Sequence, residues 1–165
     1  MLFKRILLAV ALGAAFFAPT EAHGEDNEDN KALVHRWYDE VWNKGNVAAV
    51  DDFLALTYVG HTVGAPDAKG SDDVKQRVAA LATAFPDHRL TIEDSVDEGD
   101  KAAVRYPLRG THRGEFMGIA PTNKELTWTG MAIFHIREGK FREIWLMTDI
   151  GRQLGMGSAQ GQRKP

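Results

Sequence analysis

The sequence predicts an α+β domain, with helices covering one face of a curved, mainly antiparallel sheet. Three observations carry that prediction. Apolar residues recur at helical spacing through the first half of the chain, from Leu33 to Phe85. From Arg89 onward the apolar period drops to two, as in strands with one buried face. The later segments are separated by short glycine-bearing turns, Glu98-Gly99 and Glu138-Gly139, which favour antiparallel neighbours.

The first stretch stands outside that domain. Lys4 and Arg5 precede an apolar run from Ile6 to Phe17, and Thr20-Glu21-Ala22 makes a small-x-small cleavage site. Residues 1–22 therefore read as a secretory signal peptide, too short for a comfortable permanent span. Cleavage after Ala22 would remove two basic residues and one acidic one, taking the formal charge from −3 to −4. That balance points away from nucleic acid and from an anionic membrane surface as partners. There is no cysteine, which excludes disulfides, thiol chemistry, thiolate metal sites and a lipoprotein anchor. The expected location is periplasmic or secreted, with no membrane contact after cleavage. With 44% hydrophobic residues in 165, the chain is long enough for one domain resting on an apolar core.

Residues 23–30 (HGEDNEDN) are acidic and without apolar periodicity, and read as a mobile leader, with Asn30 a candidate helix cap. Leu33, Val34, Trp37, Tyr38, Val41 and Trp42 then place one wide apolar face on a first helix, which Gly45 ends. A second short helix is expected over 47–56, with Val50, Phe53 and Leu54 inward. Thr57 to Thr62 is an extended piece, followed by a Gly/Pro/Asp-rich loop from Gly64 to Gly70. Ser71, with Asp72 and Asp73 behind it, reads as the cap of a third helix whose buried stripe is Val74, Val78, Leu81 and Phe85. Strands follow over 89–96, 101–109, 126–136 and 140–149. Pro107 has no N–H to give a ladder, so it belongs at a bulge or an edge. The domain is expected over 31–150, and residues 151–165, rich in Gly, Gln and basic residues, read as a disordered tail.

Two acids in the last hairpin carry the functional question. If Glu138-Gly139 is a two-residue turn, Ile136 pairs with Phe141, Phe134 with Glu143, Ala132 with Trp145 and Trp128 with Asp149. Glu143 and Asp149 would then share a concave apolar wall with Trp128, Phe134 and Trp145, and Gly130 and Ala132 would leave room for a cavity. A carboxyl there loses hydration, so its pKa should rise unless a partner holds it ionised. It would be either a proton carrier or a structural hydrogen-bonded acid. The opposite face, also largely apolar, reads as a subunit interface of a homodimer packed through the sheet, and His135 falls on it. His61 could point into the cavity mouth, and His112 lies where the second strand meets its loop. No HxH or HxxxH pair occurs, so no metal site is expected. Nor is there a GxSxG elbow, a P-loop or a GxGxxG turn.

Gly110-Thr111-His112-Arg113-Gly114-Glu115-Phe116-Met117-Gly118-Ile119, then Pro121-Thr122, Trp128 to Phe134 and Gly139 to Asp149, resemble the SnoaL-like polyketide cyclase (ester cyclase) family. Tyr38 to Asn46, Tyr58-Val59-Gly60-His61 and Ala84-Phe85-Pro86-Asp87 look like it too. The resemblance spans roughly Lys31 to Asp149. It implies the cone-shaped fold of the nuclear transport factor two-like superfamily, with an apolar pocket between helices and sheet and dimers formed through the sheet. It also implies an aldol-type ring closure without metal or cofactor, in which a pocket carboxylate moves the proton; the matching acid is Glu143 or Asp149. His61 and His112 match positions near the family pocket. The expected ligand is a small, mostly apolar, carbonyl-bearing molecule, with Trp37, Tyr38, Tyr58, Tyr106, Phe116, Trp128, Phe134 and Trp145 as its wall. If the chain is an enzyme, it is a cofactor-independent cyclase, isomerase or lyase. A non-catalytic periplasmic binder, or a dimerisation module with a self-filled pocket, are the alternatives.

Overall fold

A computed structural model describes residues 25–156. The signal segment (1–22), the start of the leader and the end of the tail lie outside the described residues. Helix α1 (Glu25–Arg36) begins inside the acidic stretch read above as a mobile leader; acids suit the positive end of a helix. Asn30 is not its cap. It lies within the helix and donates its side-chain amide to Gly99 O at 3.0 Å. From Trp37 to Asn43 the helix widens into a π-helical segment, and Lys44 N reaches back five residues to Asp39 O. Trp37, Tyr38 and Val41 are buried there, and Gly45 at φ +64 ends it as expected.

The second helix is shorter than its pattern suggests. After a 3₁₀ turn (Val47–Ala49) and α2 (Val50–Phe53), the chain becomes strand β1 (Leu54–Thr62). Tertiary pairing overrides local propensity: β1 runs parallel to the last strand, and Leu56, the far end of the expected helix, is exposed. The Gly/Pro/Asp-rich loop contains a two-residue strand, β2 (Ala68–Lys69), on the edge of β1. Helix α3 (Gly70–Ala84) buries Val74, Val78 and Leu81 as predicted. Its start is held not by the Ser71 hydroxyl but by Asp73, whose carboxylate accepts from Lys69 N at 2.8 Å.

The sheet is mixed and open, ordered β2-β1-β7-β6-β5-β3, with β4 also on β5. The expected strand over 89–96 is two pieces, β3 (Arg89–Leu90) and β4 (Asp94–Glu98), both antiparallel to β5 (Lys101–Thr111). Between Leu90↔Leu108 and Asp94↔Arg105, β3 and β4 advance four residues while β5 advances three. This is a bulge, and Pro107 lies opposite it, where the ladder asks least of its missing N–H.

The decisive departure lies between β6 (Glu125–Arg137) and β7 (Lys140–Thr148). The turn is the expected one, with Glu138 and Gly139 both at positive φ, and Ile136 pairs with Phe141. The next pair, however, is His135↔Glu143, so Arg142 is an extra residue on β7. Side chains alternate along a strand, so this single bulge reverses every face of β7 beyond it. Trp128, Gly130, Ala132, Phe134 and Ile136 face inward as predicted, but their β7 companions are Ile144, Leu146 and Thr148. Glu143, Trp145 and Met147 face outward with Met131, Ile133 and His135.

The helices and the inward face enclose the core. Phe53, Phe134 and Phe141 are fully buried in it, and the Trp37 and Phe141 ring centroids are 5.5 Å apart. At the chain's far end, α4 (Ile150–Gln153) buries Ile150, so the region expected as tail starts as an ordered turn against β6.

Candidate functional site

Between the helices and the inward sheet face lies a cavity of about 790 Å³, the size of small-molecule sites. Trp37, Tyr38 and Trp42 reach it from the π-helical segment, Tyr58 from β1, Tyr106 and Leu108 from β5, and Trp128 and Ala132 from β6. Phe116 and Met117 come from the loop after β5. The segment Val63–Pro66 and residues Asp149–Arg152 complete its rim. Arg77 of α3 secures that rim, donating to Thr62 Oγ1 (3.1 Å) and Pro66 O (2.6 Å).

The polar equipment of the wall is mostly hydroxyl. Tyr38 packs against Tyr106 with ring centroids 4.9 Å apart. Burial pushes the Tyr106 phenol up to about 12, and lifts Tyr38 and Tyr58 further. All three stay protonated at neutral pH. Two glycines make their seats: a Cβ on Gly60 would lie 2.3 Å from the Tyr58 hydroxyl, and one on Gly130 2.4 Å from Tyr106 Cζ. Thr148 pairs with Gly130 and so stands beside Tyr106, its Oγ1 buried without a partner among the described residues.

The two candidate acids part company. Asp149 lies on the cavity wall, at its rim. Its Oδ1 accepts from Thr129 N (2.8 Å), and its Oδ2 from Arg152 (2.7 Å) and Gln153 (3.1 Å). The Arg152 guanidinium, with Thr129 N and Gln153, holds its carboxyl below the usual range. A partner therefore does hold it ionised. Glu143, by contrast, does not share the concave wall with Trp128 and Phe134, because the Arg142 bulge turns it outward. There it bridges two histidines: Oε1 is 3.0 Å from His61 Nε2, and Oε2 is 2.9 Å from His135 Nδ1. His61 Nδ1 continues the row to Asp67 Oδ1 at 3.0 Å. Asp67, with Glu143 beyond it, raises the His61 imidazole above its ordinary 6.5. Trp145, expected inside, is half-exposed and stacks on His61 with ring centroids 4.1 Å apart.

The remaining predicted site residues separate as well. His61 reaches the rim, whereas His112 is fully buried behind Phe85, stacked on it at 5.1 Å. Thr122 N donates to His112 Nδ1, and Nε2 has no partner among the described residues. Phe134 belongs to the core beside Tyr38 rather than to the wall. Trp37, Tyr38, Tyr58, Tyr106, Phe116 and Trp128 do line the cavity. Sequence reasoning missed Leu146 and Thr148, which the bulge brings inward, and the pairing of each seating glycine with a tyrosine. The Tyr58-Val59-Gly60 spacing was the one local signal for the latter. Among the described residues, no group of three or more His, Asp or Glu is placed to hold a metal ion.

Residues 32–154 match the family model described as SnoaL-like polyketide cyclase. Among solved structures, the chain resembles a protein from Jannaschia sp. CCS1 assigned as a SnoaL-like polyketide cyclase. The TM-score is 0.73 at 22% identity, covering 82% of this chain and 95% of that one. AclR from Streptomyces galilaeus, assigned as a hydroxylase, aligns at TM-score 0.69 and 25% identity over 79% of this chain and 98% of that one. TsrD from Streptomyces laurentii aligns at 0.68 and 26%, over 78% and 96%. No curated protein matches the sequence. The cavity, the open mixed sheet and the matched span agree with a small-molecule-binding function of cyclase type. The chain belongs to the SnoaL-like polyketide cyclase family.

Proposed function

We propose that the protein binds a small, mostly apolar, carbonyl-bearing molecule in this cavity and moves a proton on it without a cofactor, in a reaction of aldol-cyclisation or isomerisation type. The carrying observation is the 790 Å³ cavity walled by aromatic side chains and a few hydroxyls. Structures with this fold are assigned both as cyclases and, for AclR, as a hydroxylase, so the reaction is argued from the site. Of the two predicted acids only Asp149 is on the wall, which makes it the proposed base. Its carboxylate is ionised but weakly basic, so it suits a carbon acid flanked by two carbonyls, whose proton is already labile. One feature favours the second reading, a non-catalytic carrier: Glu143, the other predicted acid, points away from the cavity, and the groups at its floor are hydroxyls. The proposal includes export through residues 1–22 and a homodimer through the outward sheet face. There Met131, Ile133, Trp145 and Met147 are 54%, 47%, 50% and 61% exposed, a contiguous apolar row that a second copy would cover.

Deuterium exchange at the central carbon of 1-(2-naphthyl)butane-1,3-dione, followed by NMR, tests the base. The protein should accelerate exchange, Asp149→Asn should reduce the acceleration at least tenfold, and Glu143→Gln should leave it within twofold. Binding of the diketone without acceleration would favour the carrier. Loss of exchange in Glu143→Gln alone would overturn the assignment of Asp149.

A further inference from the structure

We propose that Tyr58 and the Tyr38–Tyr106 pair, with Thr148 beside them, form a hydroxyl floor that donates hydrogen bonds to a carbonyl or enolate oxygen of the ligand. This gives the tyrosines an oxyanion-stabilising role, and it rests on the cavity reading above. The first support is a partition of side chains. The chain has three tyrosines, and all three line the cavity although they come from a helix and two separate strands. The fully buried phenylalanines, Phe53, Phe85, Phe134 and Phe141, all lie off its wall. Phenylalanine and tyrosine bury similar area, yet among the described phenylalanines only Phe116 joins the wall; a buried hydroxyl needs a partner.

The second support is the backbone beneath the hydroxyls. Gly60 and Gly130 sit in strand interiors at ordinary strand dihedrals, where glycine costs stability and no turn requires it. What requires it is close approach. The Tyr58 hydroxyl and the Tyr106 ring end occupy the space where each Cβ would stand, at 2.3 and 2.4 Å. Both phenols are thereby laid against the sheet at the cavity floor.

Proton counting supplies the third. Two adjacent phenols can place only one proton between them, so the Tyr38–Tyr106 pair keeps one O–H for a ligand. Thr148 Oγ1 is buried there without a partner among the described residues, which is costly unless a bound molecule or a water completes it. Burial keeps the phenols protonated, so each retains an O–H to donate. Donors pre-aimed from a low-dielectric wall stabilise the charge that develops on an enolate oxygen.

A pair of probes with one skeleton tests this on the full chain. 2-Acetylnaphthalene offers a carbonyl acceptor and 2-ethylnaphthalene none. Tyr58→Phe and Tyr106→Phe should each weaken 2-acetylnaphthalene about five- to tenfold while changing 2-ethylnaphthalene less than twofold. The retained ethyl affinity also reports that the variants are folded. The infrared carbonyl stretch of the bound ketone should lie below its value in hexane and move back up in each variant. If both probes bind and the substitutions affect them alike, or affect neither, the tyrosine assignment is overturned while the cavity reading stands. If neither probe binds the wild type, both fall.

Discussion

Replacing Gly130 by alanine puts a methyl group 2.4 Å from Tyr106 Cζ and 2.5 Å from both its Cε2 and its hydroxyl oxygen. Ordinary carbon contacts begin near 3.4 Å, so the ring must shift by about an ångström. It cannot simply swing away, because Tyr38 lies against it at 4.9 Å and Tyr38 in turn packs on Phe134. Overpacking of this kind costs about 1–3 kcal/mol, while removing a strand glycine returns about 0.5–1 kcal/mol. The midpoints of these ranges leave a net loss of about 1.25 kcal/mol, or roughly 5 °C in Tm for a domain of this size. Urea unfolding measures it. The control is the same substitution in a Tyr106→Leu background, where the colliding atoms are gone and alanine should be neutral or stabilising. The coupling between the two sites should be at least about 1 kcal/mol. If Gly130→Ala costs the same in both backgrounds, or stabilises on its own, the close-approach account of this glycine is wrong.

Two further perturbations address the outward face. His61 is raised in the fold by Asp67 and Glu143, so its contribution is fully present below its unfolded pKa of about 6.5 and fades as pH rises through the folded value. The Tm advantage of wild type over His61→Asn should thus be larger near pH 5 than near pH 9; parallel profiles would show that the Asp67–His61–Glu143 row does not couple to folding. Trp145→Glu should convert a sheet-packed dimer to monomer in sedimentation at micromolar concentration, with little change in monomer stability because Trp145 is half-exposed. A wild type that is itself monomeric would remove the dimer proposal.

Most of the fold was legible because it is written in local periodicity. The spacing of Leu33, Val34, Trp37, Tyr38 and Val41 marks a helix with one buried face, and those residues are buried. Gly45 and Gly139 take the positive φ that glycine tolerates, and the two-residue turn carries Glu138 into it as well. In the family run from Gly110 to Ile119, Gly110 and Thr111 end β5, and Glu115, Phe116 and Met117 reach the cavity. The second helix was overextended because Leu54 to Tyr58 could satisfy either period, and only the parallel partner β7 decides between them.

The candidate site was legible in composition but not in geometry. The sequence by itself determined that aromatic residues and two acids would gather on the last hairpin, since that depends only on which residues the strands contain. Which face each residue takes depends on register. One extra residue at Arg142 reverses it, moving Glu143 and Trp145 outward and Leu146 and Thr148 inward. A bulge is a compromise between two strands and everything packed on both of their faces, so no single stretch encodes it. Tertiary structure likewise decided that Gly130 lies under the Tyr106 ring, because that approach across the sheet exists only once β5 and β6 have met, whereas Gly60 and Tyr58 share β1.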